Sequence, residues 1–189
     1  MPACRVCYRV AMKLIAFDGD DTLWTPLSGV NLSDRTATDA VGWPHFTYMP
    51  LPDDPLTARR DDGALFALCP EAAEVFRELR DRAVLVGVIS YNHEENIRSI
   101  LEAFALLAEV DYIVAEWHSN KDKMLGKMLA QARVDGHSME PGDLILVDDD
   151  PWEIYRGQCA RMGAGFSRFG VDILDLRDVL AMDNPSPPI

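Results

Sequence analysis

Residues 14–24 read LIAFDGDDTLW, an apolar run that ends in a carboxylate and is followed at once by two more. The same construction recurs twice. Ala83–Ile89 (AVLVGVI) runs into Ser90-Tyr91-Asn92, and Leu144–Val147 runs into Asp148-Asp149-Asp150. A continuous apolar run of this length is expected of a strand covered on both faces. Between the runs lie stretches of helical period. Residues 71–82 carry Val75, Phe76 and Leu79, and residues 94–106 place Ile97, Ile100, Leu101 and Phe104 at i, i+3, i+4 and i+7. Residues 121–133 set Leu125, Met128 and Leu129 on one side. Tyr112–Ala115 and Phe166–Phe169 supply two further short strands, and Pro151 suits the first turn of a helix that Gly163 and Gly165 bring to an end. Residues 173–182 form a last amphipathic stretch. Strand and helix in alternation predict an α/β, three-layer, Rossmann-like fold: a parallel central sheet of about five strands, helices on both faces, right-handed crossovers.

One segment breaks the rhythm. Residues 25–70 contain Pro26, Pro44, Pro50, Pro52, Pro55 and Pro70, and are expected to form a small cap insertion of loops with a hairpin. The main domain is read as 12–182, preceded by a leader (1–11) with no assigned role and followed by a Pro-rich tail (183–189). Cys4 and Cys7 form a lone CxxC without a second metal-binding pair, and are read as incidental.

Composition excludes several classes. The 189 residues are 48% hydrophobic and 26% charged, as in an ordinary globular chain, and four cysteines are too few for a disulfide scaffold. No apolar run reaches the ~18 residues of a membrane span, and no signal-peptide core is present, so a cytoplasmic protein is expected. With 31 acidic against 18 basic residues, the charge of −13 argues against a nucleic-acid partner. A GxGxxG or P-loop pattern is absent, and Leu23 occupies the position where an EF-hand loop needs glycine. No oligomeric state is assigned.

Ligands of open parallel sheets bind where the strands end at their carboxyl side. There the sequence delivers Asp18-Gly19-Asp20-Asp21, Ser90 and Asp148-Asp149-Asp150, while Lys121 opens the helix before the last acidic run. In an extended chain Asp18 and Asp20 would project to the same side and repel each other unless a cation intervened. Asp149 can complete an all-oxygen site of the kind that suits Mg²⁺. A hydroxyl and an ammonium beside it would bind phosphate oxygens, which together describe a phosphoryl-transfer site.

The stretches 14–24, VISYN (88–92), Lys121 and ILVDDDP (145–151) resemble the four motifs of the haloacid dehalogenase (HAD) superfamily. The DxDxTLW opening, the Ser of the second motif and the paired Asp of the fourth look most like its magnesium-dependent phosphatase group, in subfamily III. The resemblance implies that Asp18 is the nucleophile and forms an aspartyl-phosphate. It implies that Asp20 is the general acid and then the general base, and that Ser90 and the Gly19 and Asp20 amides bind phosphate. Lys121 would neutralise the intermediate; Lys123 is the competing candidate. Asp18, Asp149 and Asp20, the last through its backbone or its side chain, would hold Mg²⁺, with Asp148 and Glu153 supporting them. Tyr91 stands where relatives often carry a substrate-touching Arg, and Asp21 is read as a solvated turn residue. Only a small lid fits in 25–70, so the site should be open, with Trp24, Trp43, Phe46 and Tyr48 either on its rim or in the lid's own core. The expected partner is a small phosphorylated substrate, such as a phosphosugar, or a phosphoprotein. A phosphotransferase of the same superfamily and a receiver-like module are the alternatives. A receiver, however, carries its acceptor Asp after the third strand, whereas the DxD here follows the first.

Overall fold

The computed structural model describes residues 13–28 and 45–182. The leader with Cys4 and Cys7, Trp43 and the Pro-rich tail lie outside them.

Five strands build a parallel sheet: β1 (Leu14–Asp18), β6 (Leu85–Ser90), β7 (Tyr112–Ala115), β8 (Leu144–Asp148) and β9 (Gly165–Arg168). Their order is β7-β6-β1-β8-β9, so β6, β1 and β8 each have neighbours on both sides. Burial on both faces explains why these strands read as unbroken apolar runs. Ile15, Phe17, Val86 and Val88 face one apolar cluster, and Leu14, Ala16, Leu144 and Leu146 face another. Helices α1 (Ala72–Asp81) and α2 (Glu94–Ala103) cover the first face. The second is covered by α3 (Lys121–Val134) and α4 (Ile154–Met162). Phe76 of α1 meets Phe17 of β1 with ring centroids 5.1 Å apart, one of the contacts that close the first layer.

The segment after β1 holds more structure than loops with one hairpin. Strands β2 (Trp24–Ser28), β3 (Tyr48–Leu51), β4 (Asp54–Arg60) and β5 (Leu65–Leu68) form a separate antiparallel sheet, in the order β2-β5-β4-β3. Its prolines sit where a ladder tolerates them. Pro50 lies in an end strand beside a break in register, and Pro26 likewise adjoins one in β2. This sheet packs on α2, whose Ser99 hydroxyl accepts from the Tyr48 amide at 2.9 Å and whose Asn96 Oδ1 accepts from the Phe46 amide at 2.7 Å.

Of the aromatics expected on the rim or in the lid's own core, the three among the described residues, Trp24, Phe46 and Tyr48, pack in the core. Trp24 and Tyr48 are buried, Tyr48 meets Phe66 edge-on at 5.3 Å, and the Arg60 guanidinium lies 3.9 Å above the Phe46 ring. The helix expected from Pro151 begins three residues later, at Ile154. Asp150 accepts from the amides of Trp152 (3.0 Å) and Tyr155 (2.8 Å), and Glu153 is left-handed (φ 58°), so residues 151–153 form a turn that precedes the helix. The helix ends at Gly163, whose φ of 85° only glycine adopts without strain. The last stretch is a 3₁₀ turn (Leu176–Asp178) followed by α5 (Val179–Met182).

Candidate active site

Asp18, Ser90 and Asp148 are the last residues of β1, β6 and β8, the three interior strands, so backbone pairing brings them to one edge. Asp18 pairs in register with Ile89, and Phe17 with Val147. Lys121, the first residue of α3, reaches across this edge with only 2% of its side chain exposed. Its ammonium bonds the Asp18 carboxylate directly, stands 3.4 Å from Asp148 Oδ2, and lies 5.3 Å from the centre of the Tyr155 ring. Lys123 is exposed and takes no part. Burying an ammonium is costly without anionic partners, and two carboxylates supply them. Burial works to lower the Lys121 pKa, but Asp18 and Asp148 outweigh it and raise it.

Two side chains of α4 and its approach hold this arrangement: Gln158, which the sequence reading missed, and Asp150, one of the acids expected at the strand end. Gln158, buried, accepts from the Asp122 amide at 3.2 Å and donates to the Ser119 carbonyl at 3.2 Å, fastening the start of α3 that carries Lys121. Asp150 donates its amide to Asp148 Oδ1 at 2.9 Å while its own carboxylate caps the turn before α4. The run Asp148-Asp149-Asp150 therefore divides its labour. The first two face the site, and the third shapes the backbone behind them.

Carboxylate oxygens of Asp18, Asp148 and Asp149 lie within 4.8 Å of one another. Asp20, expected among the metal ligands, is not part of this trio. The strand ends at Asp18 and the chain turns, with the Gly19 carbonyl accepting from the amides of Leu23 (2.9 Å) and Trp24 (3.1 Å), so the alternation that would pair Asp18 with Asp20 stops there. Asp20 lines the cleft with one carboxylate oxygen bonded by the Trp24 indole N–H at 3.1 Å. Gly19 is buried beneath that indole. A Cβ at position 19 would come within 2.5 Å of the ring, so a side chain there would displace it. Asp21 is exposed and left-handed (φ 61°) at the cleft margin. Glu153 does not line the cleft; its carboxylate pairs with Arg156 and, at 3.5 Å, with Arg168.

The cleft has a volume of about 490 Å³. Ser90, Tyr91 and Lys121 line it with the acids, and Pro151, Trp152, Ile154 and Tyr155 complete its wall. No residue of the antiparallel sheet beyond the Asp20–Trp24 turn is among its lining. Trp152 is 78% exposed at the mouth, and the half-exposed Tyr91 meets Trp117 edge-on at 5.7 Å. The signal for the wall residues was their position directly after the acidic run, on the turn into the next helix.

Crowding of like charges leaves its mark on the acids. Burial pushes the Asp18 carboxyl up to about 7, against the pull of Lys121. Asp149 is pushed up to about 6 by burial and by the charges of Asp18 and Asp21. Asp148 is raised by burial, again against Lys121, and its Oδ2 is buried without a hydrogen-bond partner. An all-oxygen donor set in which a buried oxygen has an ion-pair contact with Lys121 but no hydrogen bond fits a hard divalent cation. The metal-free site is correspondingly a burden on the fold. A carboxyl whose folded pKa lies above its unfolded value keeps extra protons when folded, so stability declines as pH rises from 3.8 to about 6 and stays low above that. Asp149→Asn is therefore expected to raise the melting temperature of metal-free protein near pH 8, by roughly 2–4 °C per kcal/mol relieved, and to leave it unchanged near pH 4. Calorimetry in EDTA reads the difference; a lower melting point near pH 8 would contradict the repulsion.

No family model matches the chain, and no curated protein matches it in sequence. Solved structures do match in shape. A HAD-superfamily hydrolase (subfamily IA, variant 1) from Geobacter sulfurreducens superposes with a TM-score of 0.60 at 14% identity, covering 92% of this chain and 97% of that one. A predicted phosphoglycolate phosphatase from Haemophilus somnus gives 0.60 at 15% identity, covering 92% and 99%. The N-terminal part of a Bacteroides fragilis protein, containing a phosphatase domain complexed with Mg, gives 0.54 at 20% identity. That match covers 93% of this chain but only 40% of the Bacteroides one. The parallel five-stranded sheet with its inserted antiparallel sheet is thus a fold shared with HAD-superfamily hydrolases, phosphatases among them.

Proposed function

We propose that the protein is a Mg²⁺-dependent phosphomonoester hydrolase working through Asp18. The observation that carries this reading is the buried Lys121 ammonium bonded to Asp18 and flanked by Asp148, at a strand edge shared with Ser90 and Asp20. An ammonium so placed opposes the burial that favours a protonated Asp18 and leaves a cationic face for phosphate oxygens, which a surface ion pair would not provide.

The steps assigned to the chain are these. Ser90 and the amides of Gly19 and Asp20 bind the phosphate oxygens. A carboxylate oxygen of Asp18 forms a bond to phosphorus as the bond to the ester oxygen breaks, and Asp20 gives its proton to that departing oxygen. Asp20, now ionised, takes a proton from water as the water oxygen attacks phosphorus, releasing inorganic phosphate and restoring Asp18. Lys121 stays charged throughout and offsets the negative charge on the acyl phosphate. Asp18, Asp148 and Asp149 would hold a Mg²⁺ ion, which when bound supplies charge neutralisation to the phosphoryl group. The Bacteroides phosphatase domain, complexed with Mg, supports the choice of ion. A cleft edged by Tyr91, Trp152 and Tyr155, which among the described residues takes no lining from the antiparallel sheet, suits substrates from a phosphosugar to a phosphotyrosine on a protein.

With p-nitrophenyl phosphate, release of nitrophenol is expected in Mg²⁺, to fall more than about 100-fold in EDTA, and to return when Mg²⁺ is restored. Turnover that persists in EDTA would remove the metal from the reading. No turnover of any phosphomonoester in a panel of phosphosugars and phosphopeptides would remove the reading itself.

A further inference from the structure

Trp24 is the last residue of the LIAFDGDDTLW stretch and the first of β2, and the fold holds it more firmly than a rim aromatic requires. Its ring is 2% exposed, in the cluster that includes Phe17 and Leu68. Its backbone closes the turn below the site: its amide donates to the Gly19 carbonyl at 3.1 Å, and its carbonyl accepts from the Asp21 amide at 2.7 Å. The ring lies against Gly19, and the indole N–H donates to Asp20 Oδ1 at 3.1 Å. Backbone and side chain thus grip the two residues that follow Asp18.

We propose that Trp24 is a positioning residue for proton transfer at Asp20, its indole N–H holding Oδ1 so that the transferable proton is carried on Oδ2. Indole is a donor and never an acceptor, so the direction of this hydrogen bond is fixed whether Asp20 is protonated or ionised. An Asp side chain on a turn can adopt several rotamers, and proton transfer tolerates little misplacement. With Oδ1 tied to a ring that cannot move without disturbing the core, one orientation of the carboxyl is selected, and the same oxygen serves in both directions. In the first step the proton leaves Oδ2 for the ester oxygen; in the second Oδ2 receives one from water. The proposal rests on Asp20 being the acid and base of the reaction proposed above.

Loss of a positioned acid has a signature that loss of folding lacks. Leaving groups that depart as stable anions need no proton, whereas poor ones do. The test replaces Trp24 with 3-benzothienylalanine, which keeps the bicyclic ring and removes the N–H, and in parallel with Phe. kcat/KM, which reports the steps up to formation of the acyl phosphate, is measured across aryl phosphates from 2,4-dinitrophenyl to phenyl. The expected result is a fall of about tenfold for phenyl phosphate and of less than about twofold for the dinitrophenyl ester. Asp20→Asn, run alongside, should show the same selectivity, more steeply. An equal fall for both substrates, or none for either, while Asp20→Asn remains selective, overturns the role of Trp24 alone. A uniform fall in Asp20→Asn overturns the assignment of Asp20, and that of Trp24 with it. Should the Phe variant fold poorly, the benzothienyl series decides, because the ring's shape in the core is unchanged.

Discussion

Asp18→Asn is expected to reduce hydrolysis of p-nitrophenyl phosphate by at least about 10³-fold while leaving the fold in place. The substitution is nearly isosteric and keeps an oxygen that can accept from the Lys121 ammonium, so α3 should stay docked. What it removes is the anionic oxygen that would bond to phosphorus, because a neutral amide is a poor nucleophile. One of three clustered carboxylates is lost as well, which weakens retention of a cation. The two losses separate experimentally. Raising Mg²⁺ should recover none of the rate if the nucleophile is missing, and circular dichroism should be unchanged. A variant that kept its rate to within tenfold would place the nucleophile elsewhere.

Lys121→Met should be damaging in a different currency, that of stability. Lys121 is buried, and its charge compensates Asp18 and Asp148 together. Removing one partner of a buried ion pair typically costs about 3–5 kcal/mol, because the remaining charge stays uncompensated. At roughly 2–4 °C per kcal/mol in a chain of this size, the melting temperature should fall by about 10 °C near pH 8. The sign of its pH dependence follows from the carboxyls. Without the ammonium the Asp18 and Asp148 pKa values rise further above their unfolded value, since Lys121 lowers both. The folded state then holds more protons than the unfolded one over a wider range, and stability is lost as pH rises through it. Melting curves at about pH 5 and about pH 8 should therefore show the larger deficit at the higher pH. Catalysis should be lost at both. An equal deficit at both would mean that the methionine perturbs packing and not charge.

The parallel sheet was legible because its interior strands β1, β6 and β8 are buried on both faces, and a chain buried that way has no polar residue until it emerges. The emergence points were the site: Asp18, Ser90 and Asp148 are where the apolar runs stop. Lys121 was legible by its place at the start of a helix ahead of an acidic strand end, although only the folded chain separates it from Lys123. The antiparallel sheet was legible only as a hairpin within the insertion, not as four strands. Pro26, Pro50 and Pro55 read as breakers, whereas end strands and register breaks accommodate them. Nor could spacing show that the Asp148 carboxylate would lie with those of Asp18 and Asp149 while the Asp20 carboxylate turns aside to the Trp24 indole, because that depends on a turn closed by backbone bonds at Gly19. Trp24 was visible as an aromatic beside the site, but whether such a ring faces solvent or the core is decided by what packs on it, and that is written in residues far along the chain, Leu68 and Phe66 among them.

The position of the acids on interior strands has a consequence for how the molecule can lose activity. Edge strands β7 and β9 and the short α5 are the parts that can open locally at small cost, in the manner of sub-global unfolding units. None of them contributes a residue to the cleft. β6, β1 and β8 pair with one another in the middle of the sheet, so fraying of β7 or β9 alone leaves Asp18, Ser90 and Asp148 assembled. Fraying at the periphery thus leaves the reacting groups aligned, and the temperature at which activity disappears should coincide with the cooperative melting of the whole domain.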